Sequence, residues 1–141
     1  MADPQFGMMS ADMAKETANF RQAAADVNRL NPAFVIISGD MVNAGKDPED
    51  WRAFFRIESP LLRDHCVFAC VGNHELSRGD PAGEVAFLRY FSGADENGER
   101  TRLYGSFRWS NTRFFLLNAM DTWTGDERDW LRNELDRAMY E

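Results

Sequence analysis

Phe34-Val35-Ile36-Ile37-Ser38-Gly39-Asp40-Met41-Val42-Asn43 and, further on, Val67-Phe68-Ala69-Cys70-Val71-Gly72-Asn73-His74-Glu75 share one design. Each begins as a short, continuously apolar run rich in β-branched or aromatic side chains, the pattern of a strand buried on both faces. Each then reaches a glycine followed by polar side chains, so the strand hands Asp40 or Asn73 to a loop at its carboxyl end. Between them Asp47-Pro48 is a helix start, and Trp51, Phe54, Phe55 and Glu58 give that helix one apolar and one wet face, with Ser59-Pro60 setting its end. Polar tips at the carboxyl ends of strands are where open α/β sheets bind ligands.

Outward from this centre, Phe20, Ala24, Val27 and Leu30 recur at three- and four-residue spacing and predict an amphipathic helix over about 11–30, stopped by Asn31-Pro32. Asp80-Pro81 predicts another helix, carrying Val85, Leu88 and Phe91, and the Gly-, Asp- and Glu-rich stretch 92–102 reads as an exposed loop. Leu103–Trp109 and Arg113–Leu117, with Asn111-Thr112 between them, predict a β-hairpin. Thr124 and Glu127 stand at capping-box spacing before a last helix with Trp130, Leu131, Leu135 and Ala138 on one face. No internal repeat or linker interrupts the chain, so residues 1–141 read as a single domain.

Composition narrows the function. In 141 residues, 44% hydrophobic and 13% aromatic side chains are enough for one packed core. A net charge of -7 removes any general attraction to nucleic acid or anionic lipid. Carboxylates gathered in a cleft repel one another unless a cation sits among them, which directs attention to a metal site. The longest apolar runs, Phe34–Ile37 and Phe114–Leu117, fall far short of the roughly 20 residues of a membrane helix. No secretion signal follows Met1, so the cytoplasm is the expected compartment. Cys66 and Cys70, read as two buried thiols in one strand, stand about 13 Å apart there and cannot bond to each other.

Three polar clusters could carry chemistry: Asp3-Pro4-Gln5, Gly39 to Asn43, and Gly72 to Glu75. Asp, Asn and His at neighbouring strand ends can together hold a divalent cation. Taken singly, each residue has a plainer role: Asp40 and Asn73 as turn residues, His74 as a loop histidine, Asp3 as part of a loose terminus. Asn43 supports the Asp40 loop, His65 is a surface or structural histidine, and Glu75 either orients His74 or faces solvent. Trp51, Phe54, Phe55, Phe107 and Trp130 read as core.

Gly39-Asp40 through Asn43 and Gly72-Asn73-His74-Glu75, each after an apolar strand, make the chain resemble the calcineurin-like metallophosphoesterases. The motifs of that family run D-x-H, GD-x-x-(D or N), GNH-(D or E), then a later His and a final GH-x-H. A lone Gly-Asp carries little; the two motifs together, each with its strand, carry the resemblance, which spans nearly the whole chain. It implies an α/β (α+β-like) fold, a mixed β-sheet sandwich flanked by helices, with Asp3 on one metal, Asp40 bridging two, Asn73 on the second, and His74 as the catalytic residue at the phosphate. Gln5 stands where the family has a metal-binding His, and its amide oxygen shifts the implied pair of divalent ions toward manganese or magnesium and away from zinc or iron. The implied substrates are phosphate mono- or diesters, on small molecules or phosphoproteins. The only histidines are His65 and His74, so the later His motifs have no counterpart and the resemblance implies the front half of a domain, incomplete at both ends. A homodimer covering the truncated face is then expected, and the alternative reading is a non-catalytic domain that acts through self-association or a missing segment.

Overall fold

The computed structural model describes residue 1 and residues 3–5, 13–91, 102–120 and 125–140. The two apolar runs form β1 (Val35–Ile37) and β2 (Val67–Ala69), paired in parallel with Val35 opposite Val67 and Ile37 opposite Ala69. The chain crosses from one to the other through α2 (Pro48–Asp64), so both strands point their carboxyl ends the same way. On the other edge of β1, Met1 donates to the Ile36 carbonyl (2.7 Å) and accepts from the Ser38 N–H (3.0 Å), the bonding pattern of parallel strands. Asp3 to Gln5 therefore emerge beside Asp40, and the Gln5 N–H bonds the Asp40 carbonyl at 2.7 Å.

α2 starts where Asp47 and Pro48 place it, with the Asp47 carboxylate accepting the Glu49 N–H at 2.9 Å. It does not stop at Ser59-Pro60 as the sequence suggested. Pro60 has no N–H for the Arg56 carbonyl, but the Ser59 hydroxyl donates to it instead (3.2 Å), and the fully buried Leu61 draws the last turn onto the core. Against α2 lies α1 (Met13–Leu30), through Phe20 on Phe54, with Ala24 also buried and Leu30 out in solvent. Residues 11 and 12 of the expected helix lie outside the described residues. Ile37, Met41, Val42, Trp51, Phe54 and Leu61 form the centre of the core.

In α3 (Pro81–Phe91) the expected stripe is displaced: Val85 is 64% exposed, and Gly83 and Phe87 are buried. A β-carbon on Gly83 would run into the Glu75 carbonyl, so the helix sits directly on that loop and turns residue 87 inward, one helical turn on. The hairpin consists of β3 (Gly105–Trp109) and β4 (Thr112–Leu116), and its turn is Ser110-Asn111, one position earlier than expected, with Ser110 left-handed. Phe107 stacks on Phe68 (centroids 3.7 Å apart), and Phe107 and Phe114 both meet Phe34, which joins the hairpin to the parallel pair. In α4 (Asp126–Ala138) Leu135 is half exposed and Glu134 is buried instead. Arg113 (2.8 Å) and Ser106 (3.1 Å) hold that carboxylate, which rotates the helix toward the hairpin. Thr124 and the stretch 92–101 lie outside the described residues, and Glu127 accepts the Asn118 N–H at 2.7 Å. Both cysteines are free, Cys66 exposed rather than buried. The fold is mixed α/β, as expected.

Glu58 departs most from expectation. It shares the face of Trp51 and Phe54, is fully buried, and neither carboxylate oxygen has a hydrogen-bond partner among the described residues. Burial pushes its carboxyl up to about 7, against a weaker opposing pull from the Met1 ammonium. From the usual 4.5 up to about 7 the folded chain keeps a proton that the unfolded chain has released, so stability falls as pH rises through that window. Glu58→Gln should flatten this dependence and stabilise the fold at alkaline pH by up to about 3 kcal/mol, read from urea midpoints on either side of the window.

Candidate functional site

Three segments meet at the carboxyl ends of the parallel strands: Asp3 to Gln5 beside β1, Gly39 to Asn43 after β1, and Gly72 to Ser77 after β2. The loop after each strand leaves peptide N–H groups without sheet partners, and burying them requires an acceptor. Glu75 supplies it. Its carboxylate is fully buried: Oε2 accepts the N–H groups of Asp40 (2.7 Å) and Gly72 (2.8 Å), and Oε1 those of Met41 (2.6 Å) and Val42 (3.2 Å). Burial pushes this carboxyl above its usual value, while the four N–H bonds pull it back down. Glu75 thus neither orients His74 directly nor faces solvent; it ties the two motif loops to each other.

The lock fixes Asp40. Its backbone is left-handed (φ 50°), and Gly39 before it is too (φ 90°). The Asp40 carboxylate occupies the space where Gly72 would carry a β-carbon, and its Oδ1 accepts the His74 N–H at 3.0 Å. Oδ2 has no hydrogen-bond partner among the described residues. Asp3 is also left-handed (φ 49°) and exposed.

His74 is held at both ring nitrogens. Nδ1 lies 2.6 Å from the Asn43 carbonyl, which can only accept, so Nδ1 carries the hydrogen. In the neutral ring Nε2 is then bare, and the Gln5 side-chain nitrogen stands 2.5 Å from it as donor. Asn43 supports the site through this carbonyl, a role that no side-chain pattern could reveal. The Asn73 side chain is exposed and lines an open cleft of about 240 Å³ with Asn43, Ala44, Lys46, His74 and Ser77. Lys46 pairs with Asp80 (3.1 Å), and its backbone N–H bonds the Ser77 hydroxyl (3.0 Å). His65 has a structural role, with Nδ1 3.1 Å from the Pro32 carbonyl.

Gln5, Asp40 and His74 are thus joined by hydrogen bonds, with Asn73 next to His74 on the cleft and Asp3 on the adjoining segment. Among the described residues no three His, Cys, Asp or Glu side chains form a metal-holding group. The candidate ligands are carboxylate and amide oxygens, donors of the kind that a hard divalent ion takes. Ala44 and Lys46, in the loop before α2, and Ser77, on the turn after β2, line the cleft without a motif of their own, so the sequence did not single them out.

A family model described as calcineurin-like phosphoesterase matches residues 2–138. No curated protein and no solved structure matches the chain.

Glu75→Gln tests the lock. Each carboxylate oxygen takes two N–H groups, so an amide must turn its own N–H₂ toward two donors wherever it rotates. The variant should lose at least about 3 kcal/mol of stability in urea unfolding, since hydrogen bonds to a buried charged group are worth about 1.5–3 kcal/mol each.

Proposed function

We propose that this chain, which belongs to the calcineurin-like phosphoesterase family, hydrolyses phosphate mono- or diesters with divalent cations held by Asp3, Asp40 and Asn73. The observation that carries the reading is the convergence of Asp40, Asn73 and His74 at the ends of two parallel strands, tied together by the buried Glu75 carboxylate. Oxygen donors of this kind favour manganese or magnesium. When bound, such ions polarise phosphoryl oxygens and make water a competent nucleophile near neutral pH.

The protein side of the chemistry belongs to the fixed geometry. Asp40 is held by its own backbone bonds to Gln5 and Glu75, so its carboxylate needs no reorganisation to receive a cation. His74 is anchored through Nδ1 on Asn43, which leaves Nε2 as the one ring nitrogen that can hold or pass a proton at the leaving oxygen. The cleft beside it is lined by Asn43, Ala44, Lys46, Asn73 and Ser77, with no Phe, Tyr or Trp lining it among the described residues. Two free thiols, one of them exposed, suit the reducing conditions of the cytoplasm.

The alternative, a non-catalytic domain acting by self-association, is favoured by the exposed apolar side chains Trp109, Leu135, Met139 and Tyr140. The deciding experiment is hydrolysis of 4-nitrophenyl phosphate and bis(4-nitrophenyl) phosphate with added manganese. We expect turnover that disappears with EDTA and falls at least about 100-fold in Asp40→Asn, the scale of losing one charge-stabilising group. Manganese-independent hydrolysis, or none above the variant, overturns the reading; a dimer in light scattering with no turnover would establish the alternative.

A further inference from the structure

The first cluster departs from its family pattern at Gln5, and the structure gives that residue a definite partner. Its backbone N–H bonds the Asp40 carbonyl at 2.7 Å, which fixes where the side chain begins. Its amide nitrogen ends 2.5 Å from His74 Nε2. The opposite ring nitrogen is committed to the Asn43 carbonyl at 2.6 Å, and the His74 backbone N–H to Asp40 Oδ1 at 3.0 Å. The imidazole is thereby gripped on both edges, by groups from the first and second clusters, while its backbone is tied to the second.

We propose that Gln5 is a positioning residue for His74, its side-chain amide donating to Nε2 and holding the ring, with Nδ1 protonated, over the site. The inference rests on the reading that His74 serves the phosphate, but the contact itself needs neither metal nor substrate. A carbonyl at Nδ1 selects the tautomer; on its own it leaves the ring able to pivot about the Nδ1 bond. A second contact at Nε2 removes that freedom, and an amide N–H₂ is among the neutral groups that can donate there. Histidine ring orientation is commonly set by such outer contacts on the nitrogen not used in the reaction. Here the Nδ1 contact with Asn43 is the outer one, and Gln5 holds Nε2, the nitrogen that faces the ester, in the ligand-free chain.

The test is heteronuclear NMR on the ¹⁵N-labelled, metal-free chain at about pH 9, above the usual imidazole range. An N–H···N hydrogen bond transmits a nitrogen–nitrogen coupling, so a cross-peak between the Gln5 side-chain nitrogen and His74 Nε2 is expected, with Nδ1 protonated and Nε2 bare. Gln5→Leu should abolish the cross-peak and shift Nε2. Gln5→Glu, of the same size, has no side-chain N–H to give and should lose the cross-peak as well. No coupling in the wild-type chain, or an Nε2 resonance unchanged in Gln5→Leu, overturns the proposal. A manganese titration of the same samples separates this from the functional reading. If Asp40→Asn binds manganese as well as the wild type does, the phosphoesterase reading fails, while the amide–imidazole coupling still decides the role of Gln5.

Discussion

Four backbone N–H groups from two loops point at the single buried carboxylate of Glu75. Neither side of this arrangement could be buried alone. Unpaired peptide donors in the interior each cost about 1–3 kcal/mol, and an unpaired carboxylate costs more. Together they satisfy each other, and the result is directional. Because Oε2 takes one donor from each loop, the distance between the end of β1 and the end of β2 is set by one side chain. The left-handed backbone at Gly39 and Asp40 follows from aiming three consecutive N–H groups, those of Asp40, Met41 and Val42, at one point. The close approach of Gly72 to Asp40 follows as well.

From that constraint the site is assembled by short steps. Asn73 and His74 immediately precede Glu75 in the chain, so fixing the glutamate places them over the same strand ends. The His74 N–H then reaches Asp40, and the ring reaches Asn43 and Gln5. Gln5 can take part because Met1 joins the edge of β1 and brings the first cluster level with the second. The hairpin contributes nothing to these contacts. It packs on the parallel pair through Phe34, Phe68 and Phe107, and none of its residues lines the cleft.

What could be read from the sequence depended on whether the signal was local. The strands, the Asp47-Pro48 helix start and the gathering of Asp40 with Asn73 and His74 were legible because hydrophobic runs, caps and strand-end glycines act over a few residues. Pro60 misled because its cost was met by the hydroxyl of its neighbour Ser59, a compensation that composition does not announce. The α3 stripe misled because Gly83 packs on the Glu75 carbonyl, a contact between segments. Glu134 displaced Leu135 from the inner face of α4 for the same kind of reason, since Arg113 on the hairpin is its partner. The role of Glu75 was not legible either. Its partners are main-chain groups, which every residue carries, so no pattern of side chains distinguishes a buried loop tie from a solvent-facing acid.

Glu58 makes the same point from the other direction. Glu58 and Glu75 are equally buried, and burial raises the carboxyl of each. At Glu75 four N–H groups oppose the rise; at Glu58 only the Met1 ammonium does, and both oxygens lack partners among the described residues. Exposure therefore says little about what a buried acid does to a fold, because the number of donors aimed at it decides whether its charge is accommodated. A carboxylate with four donors can organise two loops while ionised. One with none is accommodated by keeping its proton, which couples the helix carrying Trp51 and Phe54 to pH while leaving the ends of β1 and β2 tied.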